Sequence, residues 1–524
     1  METNRSSSVE ADRLSAVGRI GLLSHWQAAA TCLALLLAAY VLQAYFWPDP
    51  NRKLPYAGGD DLNARWTQFL GEGSWELYRE GYQKFKGRAF KVTDGRKRDK
   101  LVLPHTMLPE LAKYPDEVLS NEALAAEVQH TNYTIVDSAA PVFKRVLLSQ
   151  LTPALARVTP ALQEEVIETT ALELPNSSEW TETTILDKLL NIVAMSSGRI
   201  FIGPECCRDP TYINGSTNFI TDLASATSQI RKLPRFLRPV IAPRLAITKL
   251  VRRRMRQFVD ILEPVIWARK KAAEEQGSDY QKPDDMTQWM IDTVDKVGHK
   301  EVVDIAMEQT VVSFSAVNST AQFTSLAIFA LAADPELAPM LLEDVNQALK
   351  NSGGEWTNLA LQDMKKLDSF LMEIGRYQPF TAYSFGRKVT SPITLSNGMH
   401  IPKGANIEVG RYGVTQDPDI YPEPENFDAL RFYRIRQDKE NAARTSEAAT
   451  QFVNVTPTHL IWNYGRRACP GRFFATNLIK LILATLLLRY EVRNAAGVEG
   501  RAKNIFGLGM QFANPENKIQ IRRK

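Results

Sequence analysis

The stretch from Val302 to Pro335, VVDIAMEQTVVSFSAVNSTAQFTSLAIFALAADP, is apolar on nearly every face from Val311 onward. A helix with no polar side has nothing to turn to water, so this one is expected to run through the core, ending at Asp334-Pro335. Other helices must then surround it. PALARVTPALQEEVIETTALEL and TTILDKLLNIVAMSSGRIFI supply two, with apolar residues at helical spacing. Strand-like pieces come later: SFGRKV, ITLSNGMHIPKGANIEVG with a hairpin turn at Asn397-Gly398, and IFGLGMQFANPENKIQIRR. The expected architecture is mainly α, a large helical domain with a small β portion, α+β in class.

The rest of the chain sets bounds on what that body does. WQAAATCLALLLAAYVLQAYFW, residues 26–47, carries no charge and ends in aromatic residues on both sides. It is long enough to span a bilayer of about 30 Å as one helix. The expected order is a tail over 1–25, a membrane helix over 26–47, a proline-rich linker over 48–58 (PDPNRKLPYAG) and a catalytic body over 59–524. The formal net charge of +4 is too small to suggest nucleic acid, and four cysteines in 524 residues do not form a disulfide framework. From Leu223 to Val259 there is no acidic residue but ten basic ones, mixed with apolar residues in PRFLRPVIAP. Such a stretch reads either as a solvated helix face or as a surface that meets anionic lipid.

One cysteine stands in a distinctive setting, WNYGRRACPG at residues 462–471. A buried structural thiol is the ordinary explanation for a lone cysteine. A nucleophile needs a histidine base, and zinc needs several ligands; neither lies near Cys469 at a suitable spacing. A thiolate on haem iron needs only one protein ligand. The neighbours suit it: Gly465 and Gly471 allow close backbone approach, Arg467 suits a carboxylate, and a helix beginning after Pro470-Gly471 turns its amides toward the sulfur.

WNYGRRACPG resembles the haem-binding signature of cytochrome P450 monooxygenases, with Trp462 where the family usually has phenylalanine. EIGR, holding Glu373 and Arg376, resembles the family's Glu-x-x-Arg helix motif, and FDALRF resembles the later motif whose Arg431 joins them. The resemblance implies a structural Glu373–Arg376–Arg431 network that locks the loop presenting Cys469. In the long helix, Ser315-Ala316-Val317-Asn318-Ser319-Thr320 stands where the family has its oxygen-activating pattern. Ala316 leaves room for dioxygen, and Asn318, Ser319 and Thr320 are the implied proton-delivery residues, although Asn318 replaces an acid. Arg387 and Arg145 resemble arginines that meet haem propionates.

The resemblance covers about residues 50 to 520. It implies haem b (iron protoporphyrin IX) with Cys469 as axial ligand, electrons from NADPH through a separate cytochrome P450 reductase, and dioxygen as co-substrate. Segments resembling substrate-contacting regions, at 127–133, 307–319, 380–385 and 506–510, are mostly apolar or small and polar, which favours a greasy substrate. The sequence style is similar to fungal members of secondary metabolism, which often act on terpenoids or meroterpenoids. Polyketide, steroid and fatty-acid substrates stay open, as does a haem-thiolate isomerase or dehydratase that needs no reductase. The implied location is the endoplasmic reticulum membrane, single-pass, with a lumenal N-terminus and a cytosolic body.

Overall fold

The computed structural model describes residues 27–35, 38, 50–137, 141–297, 302–438 and 450–524. The chain divides into two compact units, Met1–Leu54 with Pro392–Lys403, and Pro55–Ser391 with Gly404–Lys524. In the first, residues 27–35 are helical with exposed side chains; much of the expected 26–47 membrane helix lies outside the described residues. The expected linker holds a 3-10 turn, Pro50–Lys53, whose buried Asn51 donates through Nδ2 to the His400 carbonyl at 3.2 Å. The hairpin expected around Asn397-Gly398 is present here as β6 (Ile393–Thr394) against β7 (His400–Ile401). Gly398 has φ +81°, which glycine adopts without strain, and the Asn397 side chain accepts from the Met399 amide at 3.0 Å.

The second unit is helical and built around the expected central helix. Its principal helices are α1 (Asn121–Gln129), α2 (Pro141–Val146), α3 (Thr152–Glu173), α4 (Ile185–Phe201), α5 (Pro210–Lys232), α6 (Ala246–Gln276), α7 (Val302–Ala333), α8 (Leu337–Asn351), α9 (Lys365–Tyr377) and α10 (Arg472–Arg489). Helix α7 packs against α4, α5, α6 and α10, so its apolar surface is covered by protein. Phe314 shows how: its ring meets Phe219 of α5 at 4.8 Å and Phe258 of α6 at 5.2 Å. Among the described residues α7 alone is long and apolar enough to cross a membrane, but its most apolar window is 78% buried. It is a core helix.

Strands complete the unit at its margins. A five-stranded sheet runs β1 (Phe90–Thr93), β2 (Asp99–Leu103), β8 (Asn406–Val409), β5 (Ser384–Val389), β3 (Leu119–Ser120); only the β2–β8 pair is parallel. A second sheet pairs β12 (Lys518–Arg523) with β4 (Thr181–Thr184) and β9 (Tyr490–Asn494), and β10 (Asn504–Gly507) forms a hairpin with β11 (Met510–Ala513). Strands β2 (DKLVL) and β4 (TETT) carry no clean alternation, and β1 (FKVT) and β9 (YEVRN) alternate over only four and five residues, so none of the four stands out in the sequence. The run ITLSNGMHIPKGANIEVG is also not one hairpin. After Gly404, at φ +92°, the chain leaves β7 and β8 pairs with β2 and β5.

Candidate active site

Helix α10 is rich in leucine and alanine and has one charge in its middle, Lys480. A buried ammonium needs a partner, and Lys480 Nζ lies 2.6 Å from Asp368 Oδ1 on α9. Arg436 and the Phe452 amide donate to the other Asp368 oxygen at 3.1 and 2.9 Å. Burial pushes the Asp368 carboxyl up, but Lys480, the Phe452 amide and Arg436 outweigh it and hold it below its ordinary value. The Phe452 carbonyl in turn accepts from the Trp462 indole Nε1 at 2.6 Å, and the Trp462 carbonyl accepts from the Cys469 amide at 2.7 Å. A continuous hydrogen-bonded line therefore runs from Asp368 to the cysteine loop. Phenylalanine at 462 would lack the donor that makes its third link. This accounts physically for tryptophan at that position. Neither Asp368 nor Phe452 was expected from sequence; the one usable signal was the lone lysine in an apolar helix.

The same α9 carries Glu373 and Arg376, one turn apart on its buried side. Glu373 is 0% and Arg376 1% exposed. Arg376 donates to both Glu373 oxygens at 2.7 Å and to the carbonyls of Thr415, Pro424 and Asn426 at 2.7–3.0 Å, using all five of its donors. Arg431 reaches Glu373 at 3.2 Å and the carbonyls of Pro422, Glu423 and Asn426. The three side chains thus clamp the segment from Thr415 to Asn426. Their link to the cysteine loop is indirect. Tyr421 donates to the Thr458 carbonyl at 3.2 Å, and Gly375 lies so close to Ile461 that a Cβ there would meet its Cδ1 at 2.3 Å.

Cys469 opens on a cavity of about 470 Å³ between α7, α10 and the 461–471 loop. Phe323, Phe380, Trp462 and Phe474 form aromatic walls, and Ser315, Ala316, Ser319 and Thr320 of α7 give a short polar stripe. Asn318, about 200° around the helix from Ala316, is not on this lining. Ser319 donates back to the Ser315 carbonyl at 3.2 Å, while the buried Thr320 makes no side-chain hydrogen bond within the described protein. The two hydroxyls are therefore not equivalent. Only that of Thr320 is uncommitted.

Burial raises the Cys469 thiol above its ordinary value; the amides of Gly471 and Arg472 and the Arg472 charge pull the other way. Those amides lie at the start of α10, where the sequence placed them. A metal cation at the sulfur would reverse the balance, because a coordinating thiol is deprotonated outright. No group of three or more His, Cys, Asp or Glu that could hold a bare metal ion occurs among the described residues. One thiol in an apolar, aromatic cavity suits a metal that brings its other ligands with it. Gly471 lines the cavity, and a Cβ on it would enter open space that a flat macrocycle could use. Gly465, at φ +73°, packs where a Cβ would meet Ala112 at 2.8 Å.

The three arginines expected at propionates part company. Arg387 is 3% exposed, and burial lowers its guanidinium to about 10 despite Asp116 nearby. Among the described residues its hydrogen bond goes to the adjacent Gly386 carbonyl at 2.7 Å, which leaves donor capacity for a carboxylate. Arg387 is not on the lining of the thiol cavity; Arg467 is, but it is engaged by Asp116 (Nε to Oδ2 2.6 Å) and Glu122 (3.2 Å). Those carboxylates compete with any propionate. Arg145 on α2 is exposed and outside the cavity; its neighbour Lys144 pairs with Glu122 at 2.6 Å. Of the segments expected to contact substrate, the stretch of α7 and Phe380 reach this cavity, whereas 127–133 and 506–510 do not line it.

Comparison with known proteins agrees with this geometry. The family model for cytochrome P450 matches residues 140–523. A cytochrome P450 monooxygenase of Stachybotrys chlorohalonatus is 33% identical over 430 residues, 82% of this chain and 89% of the relative. Another from Annulohypoxylon truncatum is 29% identical over 506 residues, 95% of this chain and 98% of the relative. The structure of a retinoic acid-bound cyanobacterial P450, CYP120A1, superposes with TM-score 0.65 over 90% of this chain and 100% of that one, at 18% identity. The fold, the cysteine-bearing cavity and these relatives together place the chain in the cytochrome P450 family, as a haem-iron oxidoreductase of the monooxygenase class.

Proposed function

We propose that this protein oxidises an apolar small molecule of fungal secondary metabolism, a terpenoid or meroterpenoid by the style of its sequence. The observation that carries the reading is the cavity itself, whose aromatic walls and small polar stripe surround a single thiol. Cys469 would hold haem, and Arg387 has donors to spare for a carboxylate of that group; when bound it would supply dioxygen activation, with electrons from NADPH through a separate reductase. The chain's own residues do the rest. Phe323 and Phe380 exclude water and hold a greasy substrate. Ala316 keeps space open on α7. The uncommitted Thr320 hydroxyl holds a proton donor at the cavity, and Ser319 is its weaker neighbour because it already serves the Ser315 carbonyl. The body is proposed to face the cytosol from a single-pass anchor in the endoplasmic reticulum membrane, with the N-terminus lumenal.

Two measurements test this. Cys469→Ala in the full chain should abolish the thiolate-type carbon-monoxide difference spectrum, while Cys206→Ala and Cys207→Ala should keep it. Both control thiols are buried away from the cavity. Co-expression with a reductase and candidate terpenes, followed by mass spectrometry, should show products heavier by oxygen that require NADPH and dioxygen. Product formed without either co-reactant would overturn the monooxygenase reading in favour of an isomerase or dehydratase.

A further inference from the structure

Two irregular segments contribute walls to the thiol cavity. One carries Phe380, between α9 and β5; the other is the cysteine loop, which enters the lining at Ile461. Irregular chain lacks a regular ladder of its own, so its position depends on the groups that reach it from elsewhere. The Phe380 ring meets Phe323 of α7 at 5.8 Å. From β11, the Gln511 amide donates to the Phe380 carbonyl at 2.9 Å, and Gln511 Nε2 donates to the Pro379 carbonyl at 2.7 Å. Those bonds fix the Phe380 segment to β11, but they do not reach the cysteine loop.

Arg411 touches both segments. It opens a short helix, Arg411–Thr415, that follows β8, and it is 3% exposed. Its Nε donates to the Thr381 carbonyl at 2.9 Å and its Nη2 to the Thr381 hydroxyl at 3.0 Å. Its Nη1 donates to the Leu460 carbonyl at 3.3 Å. The Ser384 hydroxyl donates to that same carbonyl at 3.3 Å, so the wall and the loop already share one acceptor. Arg411 makes no ion pair among the described residues. Glu408, three residues earlier, is taken by Lys100 at 2.8 Å and by Tyr78. Burial lowers the Arg411 guanidinium to about 9, and Tyr383 opposes the shift only in part. A buried cation with neutral acceptors alone is unfavourable, and it becomes more so with every acceptor that moves away. Displacement of either segment is therefore resisted by the cation's own loss of solvation. A neutral side chain of similar size imposes no such restraint.

We propose that Arg411 is a positioning residue for the oxidation, tying the Phe380 wall to the cysteine loop so that a bound substrate is held at one place relative to Cys469. The inference rests on the reading of this cavity as the substrate site. Arg411 touches neither the cavity nor the thiol; it acts through Thr381, next to Phe380, and through Leu460, next to Ile461.

The test compares the full chain with Arg411→Gln and with Thr381→Val, which removes only the hydroxyl acceptor. Followed by mass spectrometry, hydrogen exchange in Arg411→Gln should quicken by about tenfold in peptides covering 380–384 and 460–463 together, with α3 and α10 unchanged. In the haem-loaded chain, 1-phenylimidazole should bind about tenfold more weakly, because its phenyl group needs the apolar wall in place, while imidazole should change by less than about twofold. The carbon-monoxide signal should persist. Simple destabilisation would lower the melting temperature and leave both affinities alone. If Arg411→Gln does not fold, Thr381→Val decides, with the same pattern at about threefold. Faster exchange in one segment without the other, equal weakening of imidazole and 1-phenylimidazole, or no change in either measurement would overturn the proposal. An unmutated chain without the thiolate-type carbon-monoxide signal would overturn the function proposed above, and the exchange pattern would still decide whether Arg411 ties the two segments.

Discussion

Trp462 carries an indole N–H that the family's usual phenylalanine lacks, and that N–H is bonded to a main-chain carbonyl. Trp462→Phe should therefore leave the Phe452 carbonyl short of a donor and cost about 1–3 kcal/mol. A lower melting temperature and faster loss of haem to an apo-acceptor protein are the expected readouts; unchanged values of both would show that the line from Asp368 is ornamental. Asp368→Asn should cost more, about 3–5 kcal/mol, because it leaves Lys480 and Arg436 facing a neutral amide inside the protein. At the cavity, Thr320→Ala should uncouple turnover more than Ser319→Ala does. NADPH consumption should persist while hydrogen peroxide replaces product, with a loss of about tenfold or more for Thr320. The reverse order would mean that Ser319 leaves its carbonyl during turnover. Asn318→Ala should have the smallest effect, since its side chain is not on the cavity lining.

At the scale of elements, α9 is the organising piece. Its buried side carries Asp368, Ser369, Glu373, Gly375 and Arg376; Ser369, Glu373 and Arg376 meet the 415–429 stretch, Asp368 meets Phe452, and Gly375 meets Ile461. Arg431→Ala removes one cation from a fully buried carboxylate and takes one donor each from the carbonyls of Pro422, Glu423 and Asn426, of which Asn426 keeps Arg376. The expected loss is about 3–5 kcal/mol. It should appear as faster proteolysis between Thr415 and Asn426, with the cysteine loop affected only later. Cleavage that begins in the 450–471 loop instead would show that the clamp acts directly on the cysteine. Helix α7 works by what it omits. Ala316→Phe should fill the cavity next to Phe323 and abolish the spectral response to apolar ligands, without loss of the carbon-monoxide signal.

For the whole molecule, acid stability is set first by buried histidine. His459 is 4% exposed and burial lowers it to about 4, with Phe452 backbone bonding opposing the shift. A proton then prefers the unfolded chain, where histidine titrates near 6.5. The stability contributed by neutral His459 is complete above pH 6.5 and is lost as pH falls from there toward 4, by roughly 3 kcal/mol. Depressed carboxylates such as Glu127, at about 2, add their own loss only below about pH 4.5. Melting temperature should thus already decline between pH 6.5 and 5, and His459→Gln should flatten that part of the curve. An unchanged slope would assign the decline to other groups.

The sequence by itself determined the elements whose partners lie nearby in the chain or whose composition admits one environment. Helix α7 was legible because an all-apolar helix can only be buried, and the cysteine loop because WNYGRRACPG resembles a family signature and is followed at once by a helix. Glu373 and Arg376 share a helix face at any tertiary arrangement. Only the tertiary structure decided which charges meet across long separations. Arg467 faces Asp116 rather than a free space, Asp368 reaches Trp462 through Phe452, and Arg252 turns inward to the Tyr133 carbonyl. It also decided that Thr320, not Ser319, keeps a free hydroxyl, because that depends on rotamer and neighbouring carbonyl. Short strands β2 and β8 pair with each other from Lys100 to Asn406, and no local pattern encodes such a pairing.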